Sequence, residues 1–371
     1  MNRVKSLVNA VPLHFIKESL SINRSSIIDS SSVLKKKDFR YLRNNKRIST
    51  SIIFLHGLFG SSDNFKLTKK LLIKKFEFMS NEFDILLSLD NPNYYKLNDN
   101  IGIDLYNLDI RNHGSSPHSS EMSLNHIEDD LYLFLKDNKI LEKKLEDPES
   151  HKIILVGHSM GGKSAMMFAL NNPHLVDGLV PIDVSPSNYV GIHNHDTKFK
   201  AMLNASKLFT EPNTTKNLIE KEMINSGLED KGERLYLLNN LKEMKIQKGV
   251  GSNHANNNHD HNNKDNLQYS WKLNVETLYK NQNKLLTFPN HDELIQSSLT
   301  MNKLPTFNKK TFFIGGADSH YLQLAHRENI HKLFPNHEIQ LFQNSNHFVY
   351  AQRPKDFAEL LYNYSKNVMK S

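Results

Sequence analysis

The chain contains no cysteine in its 371 residues. That excludes disulfide frameworks, thiolate nucleophiles and Cys-ligated zinc together, and it fits a reducing or intracellular compartment. Long apolar runs are also missing: none approaches the roughly 20 residues a membrane-spanning helix needs. A soluble protein is expected. Hydrophobic residues at 38% and aromatics at 9% supply enough apolar material for a globular core and too much for a disordered chain. The length suits one α/β domain carrying an insertion, hence one or two compact units.

Excess positive charge is missing from most of the chain, although the whole carries +7. Residues 1–47 hold eleven Lys/Arg against Glu18, Asp29 and Asp38, a local balance of +8, and the remainder carries −1. The basicity belongs to the leader, so a nucleic-acid partner is not expected. Residues 1–32 read as a mitochondrial presequence or disordered leader: dispersed basic residues, a Ser-rich stretch from Ser19 to Ser32, and Val4, Leu7, Val8 and Val11 at helical spacing before Pro12. An unbroken apolar segment of the secretory kind is absent.

From residue 48 the pattern alternates between strand and helix. The runs Ser51–Leu55, Ile103–Leu108, Lys152–Val156, Gly178–Ile182, Thr311–Ile314 and Glu338–Phe342 are short and mostly apolar, as suits strands buried on both faces of a parallel sheet. Helical patterns cover Leu124–Leu135, Gly161–Leu170 and Pro354–Val368, the last with Pro at its start. Alternation of this kind predicts a mostly parallel, doubly wound α/β sheet. Residues 33–194 and 301–371 form that core. Residues 195–300 show helical periodicity without a convincing strand and predict an inserted helical cap.

Within the cap, residues 248–266 are polar and of low complexity, predicting a disordered Asn/His-rich loop. Its His254, His259 and His261 lack a fixed scaffold, so no metal site is expected there. Asn91–Asn100 reads as a second polar insert.

Gly157-His158-Ser159-Met160-Gly161-Gly162 follows a predicted strand and precedes a small-residue helix. This is the context of a G-x-S-x-G nucleophile elbow, in which glycines allow a sharp turn that leaves the Ser159 hydroxyl exposed above the sheet edge. Upstream, His56-Gly57-Leu58-Phe59-Gly60 follows the first clear strand. Such a loop can aim the Leu58 N–H at the same point as the Met160 N–H, making a two-donor oxyanion hole whose loss of one donor costs about 10² to 10³ in rate. His56 itself is assigned a structural role. A serine hydroxyl is a weak nucleophile until a base takes its proton, and His347, between the last strand and the final helix, occupies the expected place. The acid stays open between Asp183, which ends one strand, and Asp318, which follows another; both lie at strand carboxyl ends, where α/β sheets place their sites.

The segments HGLFGSSDNF (56–65), LDIRNHGSSPH (108–118), GHSMGGKSAM (157–166), IDVSP (182–186), ERLYLLNNL (233–241) and YSWKLNV (269–275) resemble the α/β-hydrolase subfamily that includes yeast mitochondrial ethanol acetyltransferases and animal abhydrolase-domain-11 proteins. The resemblance covers most of residues 50–365. It implies an α/β-hydrolase fold, and it implies Asp183 as the acid, from the D-x-S-P position. Gly315-Gly316-Ala317-Asp318 departs from the relatives' turn, which keeps Asp318 as an alternative or supporting acid. Asp109, Arg111 and His113 fall in a family loop and are read as structural.

The activity that the resemblance implies is alcohol O-acetyl transfer. Ser159 attacks acetyl-CoA, CoA leaves, and ethanol takes the acetyl group with His347 as general base; water in place of ethanol gives thioesterase and esterase side activities. Acetyl-CoA, ethanol and short esters are then substrates, with no cofactor beyond them, and the location is mitochondrial. The alternatives are a carboxylesterase or lipid hydrolase of the same fold, and a non-catalytic module that binds a partner.

Overall fold

The computed structural model describes Leu7 and residues 9–29, 48–87, 94–192, 195–245, 267–297 and 303–371. In chain order the elements are β1 (Phe15–Asp29), β2 (Ile48–Leu55), α1 (Lys66–Leu87), β3 (Tyr94–Leu108), α2 (Leu124–Asp137), α3 (Ile140–Glu146), β4 (His151–His158), α4 (Met160–Asn171) and β5 (Gly178–Ile182). An insertion follows, made of α5 (Asp196–Ser206), α6 (Lys216–Asn225), α7 (Lys231–Leu238), β6 (Leu241–Lys245), β7 (Leu267–Trp271), α8 (Val275–Leu286) and α9 (His291–Ser297). The chain then returns to the core with β8 (Thr311–Gly316), α10 (Arg327–Leu333), β9 (His337–Phe342), α11 (Val349–Gln352) and α12 (Pro354–Lys370).

Seven strands form one sheet in the order β1-β3-β2-β4-β5-β8-β9. All neighbours pair in parallel except β1, which runs antiparallel along β3. The central strands are apolar on both faces because both are covered. Ile53, Leu55 and Leu155 face a core shared with Ile127, Leu131 and Phe134 of α2. Ile52, Phe54, Ile154 and Val156 face the opposite core with Leu72 of α1 and Phe357 and Leu361 of α12. Ile52 stands level with Leu105 on β3 and Ile154 on β4, so one register carries both layers. Successive strands and crossover helices place the strand carboxyl ends, and the loops that follow them, on one edge of the sheet.

Three expectations are corrected. The leader is not wholly outside the fold: Phe15–Asp29 is an edge strand with fifteen residues in register against β3. Val11 N–H donates to Asp130 at 2.7 Å, Arg111 donates to the Asn9 carbonyl at 2.9 Å, and Phe15 packs on Phe134 with ring centroids 5.2 Å apart. An edge strand faces solvent along much of its length, which explains why its residues are mostly polar and lack an apolar run. The polar insert Asn91–Asn100 is likewise strand from Tyr94 onward, paired with β1. The cap is not all helix: β6 and β7 form an antiparallel hairpin with Leu241 opposite Trp271. Residues 248–266, with their three histidines, lie outside the described residues.

Candidate active site

Ser159 sits between β4 and α4 at φ 51° and ψ −117°, a strained conformation for a residue with a side chain. The surroundings hold it there. Its N–H donates to the Ile182 carbonyl at 3.0 Å, and its carbonyl accepts the first helical bond, from Lys163. The turn is tight enough that a Cβ at Gly161 would lie 2.4 Å from the Leu55 carbonyl oxygen. Only glycine allows α4 to start this close to β2.

The HG-x-x-G loop runs against the same point. A Cβ at Gly57 would come 3.2 Å from Cβ of Ser159. Phe59 adopts φ 64°, and its N–H donates to Nε2 of His113 at 3.3 Å. The cap grips the loop carbonyls: Asn240 donates to the Phe59 oxygen at 2.9 Å and Tyr236 to the Leu58 oxygen at 3.3 Å. Leu58, Ser159 and Met160 line one cavity together with Val184, Tyr189, Leu285, Leu286 and Tyr321. Among the described residues, neither the Leu58 nor the Met160 N–H donates to a protein acceptor, which leaves both for a ligand oxygen.

Asp183 follows β5 at φ 47° and is fully buried. Its carboxylate accepts from the Gly316 N–H at 3.1 Å and from the Ser319 hydroxyl, and Nδ1 of His347 lies 2.6 Å from Oδ2. Asp318 is exposed, its N–H spent on the Ser345 carbonyl at 3.0 Å, and among the described residues its side chain does not reach His347. The ring of Tyr321 stacks on His347 with centroids 4.0 Å apart and lines the cavity of Ser159. Among the described residues no hydrogen bond joins Ser159 Oγ to His347; bonds of this kind tighten when substrate binds.

His158 was not singled out by the sequence. Its Nε2 lies 2.8 Å from the His347 carbonyl oxygen, and the two rings are 4.5 Å apart. Burial holds its pKa well below the ordinary histidine value, with His347 nearby acting in the same direction. A neutral His158 therefore donates from Nε2 and fixes the loop that carries His347. The flanking His56 and His113 are buried and have their pKa values lowered by burial, that of His113 to about 3. His56 accepts the Ile110 N–H at 3.0 Å, and Arg111 pairs with Asp130, so both serve structure.

Chemically, a serine on an elbow, two free N–H groups beside it and a carboxylate-bound histidine can carry out acyl transfer. Among the described residues there is no group of three or more His, Asp or Glu side chains that could hold a metal ion, and no helix is long and apolar enough to cross a membrane.

Residues 50–354 match the alpha/beta hydrolase fold family. The chain is an α/β-hydrolase. The mouse sn-1-specific diacylglycerol lipase ABHD11 is 30% identical over 312 residues, spanning 83% of this chain and 78% of that protein. A probable alcohol acetyltransferase of Saccharomyces cerevisiae is 33% identical over 159 residues, 43% of this chain and 37% of that protein. Among solved structures, a marine microorganism esterase superposes with a TM-score of 0.61 at 22% identity, covering 96% of this chain and all of the other. That likeness shows the fold. Membership in the α/β-hydrolases with lipase and esterase relatives supports an enzyme of the serine-hydrolase type.

Proposed function

We propose that the protein cleaves carboxylic esters or thioesters through an acyl-Ser159 intermediate. His347 takes the hydroxyl proton as Oγ attacks the carbonyl carbon, and the Leu58 and Met160 N–H groups stabilise the oxyanion. The leaving alkoxide or thiolate departs with the proton from His347, and water releases the acyl group by the reverse sequence. Asp183 orients the ring and stabilises its charged form. The observation that carries this reading is the 2.6 Å contact between Asp183 and His347 behind a strained Ser159. The test is fluorophosphonate labelling and p-nitrophenyl acetate hydrolysis by the full chain. Ser159→Ala is expected to abolish labelling and lower hydrolysis by roughly 10⁴ or more; retained labelling or near-wild-type turnover would remove Ser159 from the role.

A second reading is transfer of the acetyl group from acetyl-CoA to ethanol, favoured by the partial match to the probable alcohol acetyltransferase. It uses the same intermediate, with the alcohol in place of water. Water stands at about 55 M, so an alcohol wins only if the pocket orients it, an effect that can supply several kcal/mol. Purified protein with acetyl-CoA is then expected to convert added ethanol saturably to ethyl acetate at the expense of acetate. Unchanged acetate and no ester leave the hydrolase alone. Mitochondrial location is proposed on the basic leader; since the segment from Asn9 is bonded to the body, a cleaved piece that spares these contacts ends before it.

A further inference from the structure

Lys163 lies one helical turn after Ser159 on α4 and is almost completely buried. Its ammonium donates to the Ser187 carbonyl at 2.9 Å and to the Leu286 carbonyl, and it stands 4.4 Å over the ring of Tyr189. Ser187 belongs to the loop after β5, and Leu286 is the last residue of α8. One side chain thus joins the nucleophile helix, the sheet edge and the cap.

Leu286 offers a carbonyl from the last turn of a helix, which has no partner within the helix and carries the negative end of its dipole. Tyr189 N–H donates to the same oxygen at 3.0 Å. Hydrogen bonds in a buried setting are costly to leave unmade, so the end of α8 cannot shift without breaking them. Burial opposes the charge and pushes the Lys163 amine down to about 7. No carboxylate is among the causes of that shift, so the contacts of this amine are carbonyls and a ring.

The position has a consequence for substrate. Lys163, Leu285 and Leu286 wall the narrow, partly open pocket that holds Ser159. Shifting the two leucines would widen that pocket beside Ser159 and make room for a longer acyl chain. We propose that Lys163 is a positioning residue that tethers the end of α8 beside Ser159 and so restricts the enzyme to short acyl groups. The restriction rests on the acyl-Ser159 reading; the tether does not.

The experiment uses the full chain and Lys163→Met, which keeps a long apolar stem without the donors. Amide exchange is followed over residues 185–192 and 275–290, and kcat/KM is measured for p-nitrophenyl acetate and p-nitrophenyl octanoate. Exchange at Tyr189 and the end of α8 is expected to rise about tenfold or more, and the octanoate-to-acetate ratio of kcat/KM to rise by a similar factor. Leu286→Ala, which keeps the carbonyl, is expected to raise the ratio while leaving exchange near wild type. Unchanged exchange in folded Lys163→Met overturns the tether, and a wild-type ratio in Leu286→Ala overturns the restriction. If Lys163→Met does not fold, Leu286→Ala alone decides the restriction. If the wild type hydrolyses neither ester, the acyl-enzyme reading fails while the exchange measurement still decides the tether.

Discussion

Nδ1 of His347 lies 2.6 Å from Oδ2 of Asp183, across 164 residues of chain, on a carboxylate that is completely buried. The Gly316 N–H donates to Oδ1 and the Ser319 hydroxyl to Oδ2 of the same carboxylate. Asp183 is therefore held in one orientation from three directions, and the ring it meets can rotate little without losing its partner.

Replacing Asp183 by Asn removes the charge and favours the wrong tautomer of His347, so kcat should fall by up to about 10⁴. Asp318→Asn should stay within a few-fold of wild type, because Asp318 is exposed and the partner of His347 Nδ1 is Asp183. Steady-state kinetics with one ester compares them. The reverse order would move the acid to Asp318.

His158→Leu should lower kcat by roughly tenfold or more with little change in KM, since the lost donor positions the His347 loop and does not bind substrate. His158→Gln, which can still present an N–H near Nε2, should recover part of that loss. A variant whose KM rises while kcat holds would place His158 in substrate binding instead.

Deleting residues 1–29 should destabilise the protein by about 4 kcal/mol or more. The buried Arg111 loses an acceptor, Asp130 loses a donor, and Phe15 leaves its packing against Phe134, each worth roughly 1–3 kcal/mol. Urea denaturation measures it. Equal stability of the truncated chain would show that β1 adds nothing to the fold.

The positions of Ser159 and His347 in the candidate site were legible because their signals are local: a glycine pattern placed between strand and helix for Ser159, and a loop after the last strand for His347. Residue type alone left Asp183 and Asp318 level, since both follow strands, and only the family resemblance pointed to Asp183; what separates them is the left-handed turn at Asp183 and its contact with His347. Five of the six strands read from apolar runs were legible because both faces of the sheet are covered there; the sixth, β9, lies at the sheet edge and is only half-buried. β1 was not, because an edge strand with charged residues has no such run, and its basic neighbours resembled a detachable leader. Lys163 and His158 were hidden for a related reason. Their partners, Leu286 and His347, are 123 and 189 residues away, and a lysine or histidine carries no mark in the sequence of what it will meet.

Acid should weaken the protein below about pH 6.5. His56, His113 and His158 are held neutral in the folded state with pKa values below 6.5, that of His113 about 3, while the unfolded chain protonates them near 6.5. The unfolded state therefore binds more protons below that pH. Their stabilising contribution is complete above about pH 6.5 and is lost as pH falls below it, for His113 down to about pH 3, by up to roughly 1.4 kcal/mol per unit for each. Urea midpoints at pH 7.5, 6 and 5 should fall progressively. A midpoint that stays level down to pH 5 would contradict the neutral assignment.

The central claim is a covalent acyl-enzyme on Ser159, and intact-protein mass spectrometry after rapid mixing with p-nitrophenyl acetate and an acid quench reads it directly. The account predicts one added acetyl group, mapped by peptide analysis to the segment containing Ser159, absent from Ser159→Ala and formed far more slowly in His347→Ala. Steady hydrolysis with no acetyl group on the wild-type protein, or an acetyl group on another residue that persists in Ser159→Ala, would contradict it.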